Sequence, residues 1–418
     1  MTRTCRLAVL ASHPVQYFTP LYRRLARHPE IALEVMFCRD FGVRPRFDKQ
    51  FGQAITWDTD QLEGYPHRFL RNISPVTDTF NPLHAINPAA FTRLLRGFDA
   101  VWMNGYMYPS NWLAAVAAKL TRTSILLRSE LRPSSTTAAQ SWKAGVRRAV
   151  IAGWVRASDA LLYIGQENLR AYREFGARED QLFFSPYASE TEAVQRARAR
   201  ALESMSGARA ALGIPPDRTV VVFVGKLTLK KHPESVLHVA GDPWLRDRVH
   251  VIVAGSGPEE TALRQAAEQR GLENVTWFGF VNQTRLPDLY AVGDVFLMPS
   301  EFETWGLVLN EAMAAGLAPI VSSGVGAAAD LITEGETGMM FPSGDWEALR
   351  AAVRSLVSDP QRRRQMGEYA MRRVSGYSYE AAADGVVNAL RALGHVRSPL
   401  ASAAGASLLD ALGTRLAE

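Results

Sequence analysis

Cysteine is nearly absent from this sequence: Cys5 and Cys38 are the only two in 418 residues. Two cysteines make neither a disulfide framework nor a metal-finger spacing, so a fold held by burial in a reducing, cytoplasmic setting is expected. Long apolar runs are missing as well. Nothing approaches the roughly 18–20 apolar residues that cross a bilayer. The opening MTRTCRLAVLASHP has an apolar stretch of only about five residues, expected to be a strand entering a loop rather than a secretory leader. Concentrated charge of one sign is lacking too: the net charge of +5 is scattered. It favours small anionic partners in a general way and offers no basic, aromatic module for nucleic acid. The scarcest charged residue is lysine, at six of 47 basic side chains, yet three of the six are Lys226, Lys230 and Lys231. In a chain that otherwise writes Arg, this cluster marks a place that wants a compact ammonium charge.

What is present is a long chain with an alternating rhythm. At 418 residues it exceeds one ordinary core, and two domains are expected. The first half reads as strands at 7–11, 31–38, 99–103, 124–127, 160–164 and 181–184, separated by helices. A loop-rich insertion at 39–87 interrupts them. The second half restarts with strands at 220–224, 250–254, 275–278, 295–298, 318–321 and 338–341. Apolar strands alternating with helices argue for parallel sheets covered on both faces, an α/β chain of two Rossmann-like domains. The boundaries fall at 1–205 and 206–376, with an Ala/Arg/Glu-rich linker at 188–210. A last helix follows at 377–395 and a tail at 396–418.

The stretch that organises the rest is PSEFETWGLVLNEAMAAG, residues 299–316. From Gly306 to Ile320 its only non-apolar side chains are Asn310 and Glu311, which predicts a helix buried on nearly all faces. A carboxylate there must be paired, so Glu311 needs a partner from elsewhere. Glu303 lies in the loop outside the helix mouth. The free N–H groups of residues 305–308 favour an anion between the two carboxylates. That layout suits a sugar, a diphosphate and a ribose laid end to end.

Glu303 and Glu311, spaced E-T-W-G-L-V-L-N-E and followed by A-M-A-A-G, closely resemble the E-x7-E signature of retaining GT-B glycosyltransferases, family 4. Gly225-Lys226-Leu-Thr-Leu-Lys-Lys231 is similar to that family's G-[RK]-x-x-x-x-K segment. The resemblance implies a GT-B fold: two sheets facing a cleft, with a final helix crossing back to the first. It implies a transferase that moves a sugar, with retention, from a nucleotide diphosphate sugar to a hydroxyl acceptor in glycan, glycolipid or glycoside biosynthesis. UDP is the first expectation for the nucleotide and GDP the next, with no further cofactor. Lys226 and Lys231 would hold the diphosphate and Glu311 the ribose, and Glu303 would grip the sugar. Gly225, Gly255, Phe280, Val281, Thr304, Trp305, Gly306 and Leu307 would line the donor pocket. On the acceptor side His13 is a candidate for hydrogen bonding or proton transfer. Asn104, Arg128 and Glu130 stand near positions where relatives carry His. The acceptor is expected to be a carbohydrate, a lipid-linked sugar or a small molecule.

Other motifs point elsewhere. Asp58-Thr-Asp60 spells a metal-binding D-x-D but lacks the βα framework that such a site requires, and no metal is expected. Gly255-Ser-Gly257 lacks the third glycine of a dinucleotide fingerprint. The helix through Trp142, Lys143, Arg147, Arg148, Trp154 and Arg156 fits either packing on the sheet or contact with an anionic membrane. A nucleotide-sugar binder without catalysis, or an epimerase of the same fold, is the alternative.

Overall fold

The computed structural model describes residues 4–43, 46–48, 50–76, 81–133 and 142–397. The expected tail beyond 397 and the start of the helix at 139–141 lie outside the described residues. Fifteen strands are present among those described. They are β1 (Cys5–Ala11), β2 (Ile31–Phe37), β3 (Arg46–Asp48), β4 (Gln53–Ile55), β5 (His67–Phe69), β6 (Ala100–Asn104), β7 (Ser124–Arg128) and β8 (Ala160–Tyr163). They continue with β9 (Leu182–Phe184), β10 (Thr219–Val224), β11 (Val249–Ala254), β12 (Val275–Gly279), β13 (Val295–Met298), β14 (Ala318–Ser322) and β15 (Met339–Phe341). Seven make one sheet in the order β5-β2-β1-β6-β7-β8-β9, and six make a second in the order β12-β11-β10-β13-β14-β15. Every pairing in both sheets is parallel. This is the GT-B arrangement.

Continuous apolar strands are the reason. The run TVVVFV of β10 is rich in β-branched residues and is covered on both faces. Most parallel crossovers then use a helix, which the intervening segments supply, whereas the described residues between β2 and β5 hold the β3–β4 pair instead. In both sheets the loops leaving β1, β7, β10, β11, β12 and β13 come to one cleft, as expected at the carboxyl ends of strands.

The helix Tyr379–Ala392 returns to the first sheet. Tyr379, Ala382, Val386 and Leu390 share a buried cluster with Leu7, Val9, Trp102 and Leu126. Gly385 sits so close to β9 that a Cβ there would overlap the Phe184 carbonyl. Burying Val386 and Leu390 fully contributes about 1.5–3 kcal/mol each.

Two segments differ from the sequence reading. The insertion at 39–87 is not structureless: it carries the antiparallel β3–β4 hairpin and the edge strand β5. These strands have only three residues each, too few for a period to show. The expected linker is mostly helix, Thr191–Glu203 and Met205–Ala210. Val194 belongs to the core of Leu286, Leu289 and Tyr290, and Arg198 donates to the carbonyls of Ala291 and Gly293. The change from one core to the other therefore comes before residue 191, ahead of the 205/206 boundary. The three Arg residues of the helix Thr191–Glu203 hid a narrow stripe of small apolar side chains, Val194, Ala197 and Ala201.

Candidate functional site

The strand β13 runs into Pro299-Ser300, and the acidic loop that follows feeds the helix Leu307–Ala314. Gly306 caps it in the left-handed region at φ 105°, where a Cβ would also overlap the Met298 side chain. Only glycine fits there. The first bond closing the turn runs from Leu309 N–H to the Gly306 carbonyl, so the Leu307 and Val308 N–H groups precede the helical ladder at the cleft. Leu309, Ala312 and Met313 are buried, which holds the helix axis in place. Glu311 finds the partner its neighbours lack in Tyr290, whose hydroxyl donates to Oε2 at 2.9 Å. Burial pushes the Glu311 carboxyl up to about 7, although the Tyr290 hydrogen bond acts the other way.

A cleft of about 980 Å³ joins these groups. Gly225, Lys226, Lys231, Gly255, Phe280, Val281, Glu303, Thr304, Trp305, Gly306, Leu307 and Glu311 all line it, as do His13 and Glu130. Gly255 is required for a packing reason: its Cβ would overlap the Gly225 carbonyl, so the two loops meet only with glycine at 255.

Both candidate cations already have carboxylate partners. Lys231 bonds both oxygens of Glu303, at 2.6 Å to Oε2. Lys226 donates to Gln50 Oε1 at 2.6 Å and to Asp48 Oδ2 at 3.3 Å, and its ammonium lies 4.4 Å from the Phe51 ring centre. Burial lowers the Lys226 pKa, and the Asp48 charge opposes that shift. The hairpin residues Asp48, Gln50 and Phe51 come from the first half of the chain. Nothing in the sequence ties them to Lys226.

On the opposite wall, His13 pairs with Ser12 Oγ at 2.9 Å and meets Phe41 edge to face. Burial, with the charges of His84 and Arg39, lowers its pKa to about 4. It is therefore a neutral hydrogen-bonding group at pH 7 and not one poised to titrate there. Glu130 accepts from Thr304 Oγ1 at 2.8 Å and from the Tyr187 hydroxyl, linking the two halves across the cleft.

Two acceptor-side candidates do not reach the cleft. Arg128 is buried, donates to Ser185 Oγ and the Pro186 carbonyl, and lies over the rings of Phe18, Trp102 and Tyr187. Asn104 donates to the Tyr22 hydroxyl. Both side chains turn into the core of the first sheet, where the rings hold the Arg128 cation, while Arg128 Nε and Asn104 Oδ1 are buried without a hydrogen-bond partner. Asp58 and Asp60 also diverge. Asp58 accepts from Thr284, whereas Asp60 accepts from the N–H groups of Leu62 and Glu63. Among the described residues, no three His, Cys, Asp or Glu side chains are grouped to share a metal ion.

Tyr290, Tyr187 and Arg132 were not foreseen. Arg132 donates to the Glu303 and Gly324 carbonyls at 3.1 and 3.2 Å and so pins the acidic loop. Each lies far from its partner in sequence and within an ordinary local pattern.

Residues 205–373 match the family model described as glycosyl transferases group 1. The chain is 34% identical over 194 residues to a D-inositol 3-phosphate glycosyltransferase of Rhodococcus opacus, 44% of this chain and 43% of that one. It is 31% identical over 181 residues to an alpha-D-kanosaminyltransferase of Streptomyces kanamyceticus, 43% of this chain and 47% of that one. The chain thus matches less than half the length of these curated relatives. Over nearly the whole fold it is similar to Anabaena Alr3699/HepE in complex with UDP, with a TM-score of 0.68 at 15% identity. That match covers 93% of this chain and 99% of the other. A sucrose-phosphate synthase of Thermosynechococcus elongatus gives a TM-score of 0.65 at 19% identity, with the same coverage.

Proposed function

We propose, for a chain whose residues 205–373 match the model of the glycosyl transferases group 1, that the cleft moves a sugar from a nucleotide diphosphate sugar to an acceptor hydroxyl. The transfer retains the anomeric configuration, and the donor is a UDP-sugar first and a GDP-sugar next. The observation that carries this is a single wall bearing Lys226, Lys231, the helix mouth at Gly306 and the Glu311–Tyr290 pair. Lys226, Lys231 and the Leu307 N–H balance the charge that grows on the leaving diphosphate, which is stabilisation aimed where charge develops. Glu311 accepts from the ribose hydroxyls and Glu303 holds sugar hydroxyls. A donor phosphate oxygen takes the acceptor proton on the same face as the departing group. Closure of the halves excludes water that would waste the donor. A panel of nucleotide sugars, scored by nucleotide release with and without lipid-linked and small-molecule acceptors, tests the reading. No release from any donor would sink it.

The Glu311 carboxyl gives a pH signature. Its pKa is raised by burial, so below about 7 it is neutral and above about 7 it is ionised. Ribose hydroxyls bond more strongly to the ionised form. Nucleotide affinity is therefore expected to rise from pH 6 to pH 8, and Glu311→Gln to flatten that rise in calorimetric titration. Turnover is also expected to persist in chelator, because protein cations balance the diphosphate. A strict manganese requirement in the release assay would refute this.

Membrane contact belongs to the same reading. The helix Trp142–Ala157 buries Ile151, Trp154 and Val155, as packing on the sheet requires. Its first turns stand clear, with Trp142 75% and Val146 53% exposed beside the cations Lys143, Arg147 and Arg148. Trp112, Val116 and Leu120 are exposed on the helix Pro109–Thr121, whose Trp112 ring meets Trp154 at 5.0 Å. A peripheral site on an anionic inner leaflet fits this surface. Co-sedimentation with phosphatidylglycerol vesicles, lost in Trp142→Glu, is the expected result.

The rival, a nucleotide-sugar binder without transfer, draws support from Asn104 and Arg128 being turned away from the cleft.

A further inference from the structure

The β3–β4 hairpin belongs to the first half of the chain by sequence, yet it is fastened to the second. Ser256 Oγ donates to the Phe51 carbonyl at 3.0 Å, and Gln53 Nε2 donates to Ser256 Oγ at 3.1 Å. Further on, Asn282 Nδ2 donates to the Thr56 carbonyl at 2.7 Å and Thr284 N–H to Asp58 at 3.2 Å. These ties reach the loops after β11 and β12, on either side of Phe280. Between them the chain brings Phe51 and Trp57 onto Phe280, with ring centres 5.1 and 6.0 Å apart. All three rings are half-buried and line the cleft. Three aromatic side chains meeting at an open cleft retain uncovered apolar surface, which a hydrophobic core would have enclosed.

We propose that Trp57, carried by the insertion of the first half, is a nucleobase-binding residue of the donor site, forming with Phe51 and Phe280 the wall against which the base stacks. The proposal rests on the nucleotide-sugar reading above and adds a base contact from the opposite half of the molecule. The arrangement accounts for the four hydrogen bonds: a stacking wall must be rigid, and the hairpin alone is two strands of three residues, too short to hold a shape by itself. Every base has a flat face, so this wall supplies affinity, and discrimination between bases comes from polar groups at the edge, where Gln283 also lines the cleft.

Titration calorimetry of the full chain with UDP, GDP and ADP tests it, using Trp57→Phe, Trp57→Leu and Trp57→Ala. Trp57→Phe keeps a ring and is expected to stay within about threefold of the parent affinity for the nucleotide bound best. Trp57→Leu keeps apolar bulk without a flat face and is expected to lose roughly tenfold or more, with Trp57→Ala at least as weak. Should Trp57→Ala fail to fold, Trp57→Leu decides. Leu matching Phe would overturn stacking, and all three variants matching the parent would remove Trp57 from the site. A parent chain that binds none of the three nucleotides would overturn the nucleotide-sugar reading itself, and this proposal with it.

Discussion

Glu303→Ala is expected to lower sugar transfer by a hundredfold or more while nucleotide binding holds or tightens. The two effects separate because Glu303 faces two ways. Its carboxylate bonds Lys231, so its removal frees an ammonium group for phosphate and takes away a like charge from the incoming anion. It would also hold the sugar hydroxyls as the glycosidic bond breaks, and losing one such contact costs roughly 10²–10³ in turnover. The readout pairs nucleotide release with calorimetry on the nucleoside diphosphate. A fall in release of less than threefold would leave the noncatalytic binder as the better account. Weaker binding in step with slower turnover would place Glu303 on the nucleotide instead of the sugar.

Lys231→Ala is expected to weaken donor binding by tenfold or more, a loss of about 1.4 kcal/mol, and to slow transfer further. The variant removes the cation and also leaves the Glu303 carboxylate uncompensated beside an anion site, so both changes act in one direction. Lys231→Arg keeps the charge and is expected to recover only part of the loss, since a planar guanidinium does not replace a compact ammonium within a tight salt bridge. Donor affinity unchanged in Lys231→Ala, measured by calorimetry, would rule out contact with the diphosphate.

The sequence made the second sheet legible because its strands are unbroken apolar runs and its site residues fall directly after them. Lys226 and Lys231 follow β10, Gly255 follows β11, Phe280 follows β12, and Glu303 and Glu311 follow β13. Local spacing carries the information there. The opposite wall is built differently. Asp48, Gln50 and Trp57 lie in an insertion whose strands have three residues, below the length at which alternation can be read. Their partners are more than 170 positions away, as with Lys226 and Asp48. Arg128 misled for a related reason. A charged residue closing a parallel strand usually faces ligand, but here Phe18, Trp102 and Tyr187 gather from three separate segments to enclose it. Side-chain direction at a strand end depends on what the rest of the chain brings near, and neighbours in sequence do not record that.

The helix Tyr379–Ala392 sets a timetable for synthesis. The strands of the first sheet have all been synthesised once residue 184 is made, yet one face of that sheet lacks part of its cover until residues beyond 379 follow. At ordinary elongation rates the wait is roughly 10–40 s. Throughout it, Leu7, Val9, Trp102 and Leu126 share that face with Leu21, Tyr22 and Leu25 but lack Ala382, Val386 and Leu390, so the nascent chain should be a client for holding chaperones. A chain stopped at residue 375 should bind an apolar-surface dye that the full chain excludes, and equal dye binding by the two would show that the first sheet closes without its last helix.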